Sequence, residues 1–118
     1  MATTTNSMAQ AESIVNHATG VVVTDSATAA ALTITCGFRP RIIRWINVTS
    51  SAALVKDEWY DGMSANNSVH TVGSTGVVTL STTAGPSVGS VAAGTDGTFT
   101  MPAASVPASS SFVWEAVG

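Results

Sequence analysis

The groups able to carry acid–base, nucleophilic or metal chemistry are few: His17, His70, Cys36 and the acids Asp57, Glu58 and Asp61. Nucleophilic catalysis needs a base, a nucleophile and an orienting group within reach of one another. His17 and His70 lie far apart in sequence, and neither has such companions nearby. Cys36 ends the alternating run Leu32-Thr33-Ile34-Thr35-Cys36, on the Leu32/Ile34 face. A single cysteine forms no internal disulfide, and without a neighbouring base it reads as a buried structural thiol. Zinc needs several Cys or His at set spacings, which are missing. Asp57, Glu58 and Asp61 are the candidates for calcium, but strand alternation puts Glu58 opposite the two aspartates. Asp57 and Asp61 have the residue type of a glycosidase pair, yet nothing else marks them. The glycines sit in turns, with no lysine and helix to complete a phosphate loop. The expectation is a protein with no catalytic residue, metal or cofactor.

The residues that remain are suited to contact rather than catalysis. Residues 37–63 hold all four basic residues, two of the three tryptophans and the single tyrosine. The cluster Glu58-Trp59-Tyr60, with Asn66-Asn67 nearby, has three readings. Its aromatics fill the core, anchor a protein interface, or stack on a sugar. The candidate oligomer or partner contacts are Arg41, Arg44, Trp45, Trp59 and Tyr60. Arg41, Arg44 and Lys56 face Asp57, Glu58 and Asp61 across a hairpin and suggest cross-strand ion pairs. Exposed pairs of this kind contribute only ~0–1 kcal/mol each.

Composition narrows the partners. The 118 residues carry a net charge of −3, and 9% are charged, against about 25% in an ordinary domain. That argues against nucleic acid, which requires clustered positive charge: Arg39, Arg41 and Arg44 do cluster, but acids stand against them. No apolar run is long enough to span a membrane. Low charge on a mildly apolar chain points instead to surface hidden in an assembly. The opening MATTTNSMAQAES lacks the basic start and apolar core of a signal peptide. The expectation is therefore a cytoplasmically made protein, in which the sequons at Asn47 and Asn67 are chance.

The elements that must hold these residues are strands. Residues 1–19 form a polar arm, extended or with a helical turn or more over 7–15, because Ala, Gln and Glu favour helix. From residue 20 onward the period is two and the vocabulary is Val, Ile, Thr and aromatics broken by Gly, Ser, Asn and Pro. Strands are predicted at 21–24, 31–36, 41–49, 54–61, 69–72, 77–81, 98–101 and 112–117, with a further short one at 87–91. Residues 73–76 form a hairpin-like link, and Asp96-Gly97 is a turn signal. About eight short strands without intervening helices predict one all-β domain over 20–118, an antiparallel β-sandwich. A jelly roll of two four-stranded sheets fits the count best, and an immunoglobulin-like sandwich is the alternative. Alternation groups Ile42, Arg44, Ile46 and Val48 against Arg41, Ile43, Trp45 and Asn47. It groups Val55, Asp57, Trp59 and Asp61 against Leu54, Lys56, Glu58 and Tyr60, and Phe112, Trp114 and Ala116 against Val113, Glu115 and Val117. Both faces carry apolar residues, so the outer face is also expected to be covered.

Three stretches, Gly37-Phe38-Arg39-Pro40-Arg41, Trp45-Ile46-Asn47-Val48-Thr49 and Glu58-Trp59-Tyr60-Asp61-Gly62-Met63, resemble small virion proteins of tailed bacteriophages. Gly97-Thr98-Phe99-Thr100 and Trp114-Glu115-Ala116-Val117-Gly118 fit the same pattern. The resemblance spans residues 37–118 loosely and carries no active-site motif. It implies a non-enzymatic capsid decoration (cement) protein on the outer capsid surface of the virion, bridging copies of the major capsid protein as a homodimer or homotrimer. A carbohydrate- or receptor-binding module of a phage tail or fibre, using Trp59, Tyr60 and Asn66 on a glycan, is the alternative.

Overall fold

A computed structural model describes residues 16–89 and 97–118. The strands are β1 (His17–Val23), β2 (Leu32–Thr35), β3 (Ile42–Asn47), β4 (Val55–Tyr60), β5 (Ser68–Val72), β6 (Val77–Ser81), β7 (Ser87–Val88), β8 (Thr98–Met101) and β9 (Ser111–Val117), with a 3-10 turn at Ala103–Ser105. No α-helix occurs among the described residues. The expected helical turn over 7–15 and residue 96 of the expected Asp96-Gly97 turn lie outside them, as does the end of the strand expected at 87–91. The expected arm ends earlier than residue 19, because residues 17–19 already pair in β1.

The strands form two antiparallel sheets, one of six strands in the order β1-β9-β3-β4-β5-β6 and one of three in the order β2-β8-β7. The chain is thus an all-β sandwich, as its periodicity predicts. The strands divide six and three rather than four and four. Strands β3 to β6 follow one another as antiparallel neighbours in the larger sheet, the last pair joined by a four-residue turn, and the chain returns to the smaller sheet only after β6. Between β5 and β6, residues 73–76 make such a turn, with Gly76 at φ 73° where a side chain would be strained.

Alternation decides which side chains enter the space between the layers. Ile43 and Trp45 of β3, Trp59 of β4, and Phe112 and Ala116 of β9 point inward and are buried. From the smaller sheet come Phe99 and Met101, flanked by Leu32, Ile34 and Val88. The outer face of that sheet is threonine, with Thr33 and Thr100 hydroxyls hydrogen-bonded at 2.8 Å. Trp45 stacks on Phe112 at 5.1 Å between ring centroids, and Phe99 meets Trp114 edge-on at 5.5 Å. The second contact joins the layers, since Phe99 belongs to β8 and Trp114 to β9. Such aromatic pairs contribute about 0.5–1.5 kcal/mol beyond burial. Cys36 is half-buried against this core, its Sγ 3.1 Å from the Phe38 carbonyl oxygen.

No residue of β5 or β6 belongs to the core cluster. The smaller sheet is too narrow to reach them, so this hairpin projects from the sandwich as a wing. Val77, Val78 and Leu80 of β6 are exposed by 52%, 59% and 66%.

At the opposite side of the larger sheet, Gly20 of β1 pairs with Trp114. A Cβ on Gly20 would lie 2.5 Å from the indole nitrogen. The absent side chain is what lets the indole rest there, against Phe99. Gly20→Ala is therefore expected to destabilise the fold by about 1–3 kcal/mol through overpacking. Urea unfolding followed by tryptophan fluorescence measures this directly.

Candidate functional site

The outer face of the six-stranded sheet carries a charged row in cross-strand register. Arg44 of β3 lies between Glu58 of β4 and Glu115 of β9, each its direct partner. Its Nη1 donates to Glu115 Oε1 at 2.5 Å, and its Nε lies 3.5 Å from Glu58 Oε2. Lys56 Nζ is 3.2 Å from Glu58 Oε1. The Tyr60 hydroxyl donates to Glu58 Oε2 at 2.7 Å, and His17 Nε2 lies 2.8 Å from Glu115 Oε2. Alternating signs make the row self-neutralising.

The groups tune one another. Glu58 is held below the usual carboxylate range, chiefly by the Tyr60 hydroxyl, then by Lys56 and Arg44. Glu115 is held below it by the hydrogen bond to His17, then by Arg44. Arg44 is raised, mainly by its bond to Glu115, and Tyr60 is raised because ionisation would break its bond to Glu58.

Beside this row the face is apolar. Ile46, Val113 and Val21 lie along β3, β9 and β1, and with Thr19, Arg44 and Glu115 they line an open concavity of about 400 Å³. On the other side Val69 pairs with Leu80, and Thr71 with Val78.

The five sequence-predicted contact residues divide. Arg44 and Tyr60 stand on the outer face, and Arg41 is exposed just before β3. Trp45 and Trp59 do not belong there: they are only 1% and 4% exposed and lie in the core. Their strand parity sets this, since both alternate with outward charged residues. The Trp45 indole N–H donates to the Ser105 carbonyl at 3.0 Å, which satisfies its polar atom inside. With Trp59 buried, the sugar-stacking trio of Trp59, Tyr60 and Asn66 has lost its principal face. Of the expected cross-strand ion pairs, Arg44–Glu58 forms. Asp61 meets Arg41 through the backbone, its N–H donating to the Arg41 carbonyl at 2.7 Å.

Asp57 points the other way, into a cluster that the sequence does not reveal. Its side chain is 3% exposed, and its Oδ1 accepts from Ser68 Oγ at 2.8 Å and lies 2.7 Å from His70 Nδ1. A cleft of about 130 Å³ opens beside Asp57 and His70 under the 3-10 turn. An aspartate holding a histidine through Nδ1 resembles two members of a hydrolytic triad. The hydroxyls are placed otherwise: Ser68 donates to the aspartate itself, and Ser105 Oγ donates to the Ala84 carbonyl at 2.5 Å. Neither serves as a nucleophile on the imidazole. The cluster instead fastens β5 to β4 where no apolar core does so. Asn47 is similarly structural, its Oδ1 accepting from the Thr49 N–H and hydroxyl at 3.0 and 2.6 Å. No group of three metal-ligating side chains exists among the described residues, and none of their helices is long and apolar enough to cross a membrane.

Glu115 is the participant that sequence reasoning missed, and His17 and His70, weighed there as catalytic or metal groups, instead pair with Glu115 and Asp57. Glu115 is the outward charge between Trp114 and Ala116, which marks its face, but its partners come from distant strands. Searches against family models, curated proteins and solved structures find no match to this chain.

Two outcomes follow from these contacts. Asp57→Ala leaves Ser68 and His70 without their acceptor in a partly buried site, so it is expected to destabilise by about 2–4 kcal/mol. Chemical denaturation at neutral pH measures that loss. The depressed carboxyls of Glu58 and Glu115 contribute stability that is complete above the ordinary glutamate value of 4.5. That contribution is lost as pH falls through the lower folded values. Arg44→Ala therefore differs from the parent by about 0–1 kcal/mol at pH 7, and the two curves converge in acid.

Proposed function

We propose that this protein is a non-enzymatic structural protein of a phage virion. In this reading it is a decoration or cement protein that binds the outer surface of an assembled capsid and bridges neighbouring capsid subunits. The observation that carries the reading is the outer face of the six-stranded sheet. Val21, Val78 and Leu80 are exposed there by 71%, 59% and 66%, beside a charged row that neutralises itself. Val21 lies on one side of that row and Val78 and Leu80 on the other, and exposed apolar groups rimmed by polar ones mark contact surfaces.

Arg44 and Tyr60 supply polar, geometrically fixed contacts at the centre of that face, with apolar residues around them. Arginine and tyrosine are favoured anchors of protein interfaces. Arg41 adds an exposed positive charge at the entry to β3. The partner in this reading is the major capsid protein, and the phage assignment rests on the sequence resemblance across residues 37–118. Synthesis occurs in the host cytoplasm, and the working location is the outside of the head.

Purified virions are expected to contain this protein at a high, fixed copy number, measured by quantitative mass spectrometry against the major capsid protein. Its absence from virions ends the reading. A folded Arg44→Glu variant, with its charge reversed between two glutamates, is expected to bind shells lacking the protein at least about tenfold more weakly.

A further inference from the structure

We infer that the free edge of β6 is a homodimer site, at which two copies pair antiparallel about a two-fold axis through Thr79. The inference concerns the chain in solution and stands apart from the capsid reading.

The backbone phase identifies which groups are available. The Gly73 N–H donates to the Leu54 carbonyl at 2.8 Å, so residue 73 directs its backbone toward β4. Successive residues of an antiparallel strand direct their N–H and C=O groups to opposite sides. Residues 69 and 71 therefore also face β4, while 68, 70 and 72 face β6. Their partners are Ser81, Thr79 and Val77, which bond inward. Val78 and Leu80 turn their N–H and C=O groups to the open edge.

Natural edge strands are ordinarily blunted by a lysine, a proline, a bulge or a covering loop. β6 pairs in unbroken register along all its residues, and residues 71–84 contain no charged residue and no proline. Among the described residues both its faces are open, because the three-stranded sheet stops short of it.

A second copy is the occupant that fits. In an isologous contact every residue meets its own two-fold image or that of a close neighbour, so any charge on the strand would meet its like. Here none does. With Thr79 opposite Thr79 of the second copy, each Val78 stands across from Leu80 of that copy. Both are residues with outward-turned backbone groups, so they exchange both main-chain bonds. Their side chains meet on the outer face and extend the apolar row from Val69 and Leu80 into Val78 and Thr71 of the second copy. The other edge of the larger sheet, β1, is less suited: Gly20 lies at its centre, which weakens pairing.

The test is sedimentation velocity on the full chain over a concentration series. The parent is expected to reach a dimer. Thr79→Lys and Thr79→Glu each place like charges face to face on the axis and are expected to raise the dissociation constant at least about tenfold. Mixing the two variants restores a dimer, because Lys then faces Glu. Thr79 is exposed, and circular dichroism checks that both variants fold. A parent that stays monomeric, closes as a trimer or grows into open polymers overturns the inference. So do variants that dimerise like the parent, or a mixture that fails to recover. A dimer with this behaviour that is absent from virions would remove the capsid reading and leave this one intact.

Discussion

Three strands cannot cover six. Strands lie about 4.8 Å apart in a sheet, so the smaller layer leaves roughly half the width of the larger one without a facing sheet. The rest of the molecule follows from this mismatch. Aromatic residues collect where both layers exist, in the Trp45–Phe112 and Phe99–Trp114 contacts. Beyond that zone the larger sheet must be held by other means, and its far strand is left with both faces open. The apolar exposure of Val78 and Leu80 is a consequence of layer width rather than an isolated surface feature.

The buried Asp57 carboxylate is how the structure manages the margin. Where apolar packing ends, a carboxyl group with two polar partners from β5, Ser68 Oγ and His70 Nδ1, takes over. Hydrogen bonds to a buried carboxylate are stronger than neutral ones, and they are directional, so they fix the angle of the wing as well as its attachment. On the opposite face, Arg44 spans β4, β3 and β9 through its two glutamates. That row contributes little stability, but it pins the register of the strands that carry Tyr60 and Ile46. The same β3–β4 hairpin thus supplies the core with Ile43, Trp45 and Trp59, and the outer face with Arg44 and Tyr60.

Much of this was legible in local pattern. Strict alternation separated Ile43/Trp45 from Arg44/Ile46 and Asp57/Trp59 from Glu58/Tyr60. The strands expected at 77–81 and 98–101 are those observed. What alternation could not decide was which face is interior, since both carry apolar residues. For that reason residue type alone sets Trp45 and Trp59 beside Arg44 and Tyr60 as contact residues, whereas the fold buries them. Long-range pairing was equally hidden: Glu115 reaches Arg44 only because β9 returns between β1 and β3, and Asp57 finds His70 only once β4 and β5 are paired. The six-to-three division depends on where the chain returns to the smaller layer, after β6 rather than earlier, which residue type does not mark.

The central claim is that no described segment covers the outer edge of β6, which is available to a partner. Residue-resolved amide hydrogen exchange on the full chain at high dilution tests it most directly. The account predicts fast exchange at Val78 and Leu80, slower exchange at Val77, Thr79 and Ser81, and the slowest in β3 and β9. Protection of Val78 and Leu80 at high dilution, equal to that of Thr79, would mean the chain covers this edge itself, and would contradict the account.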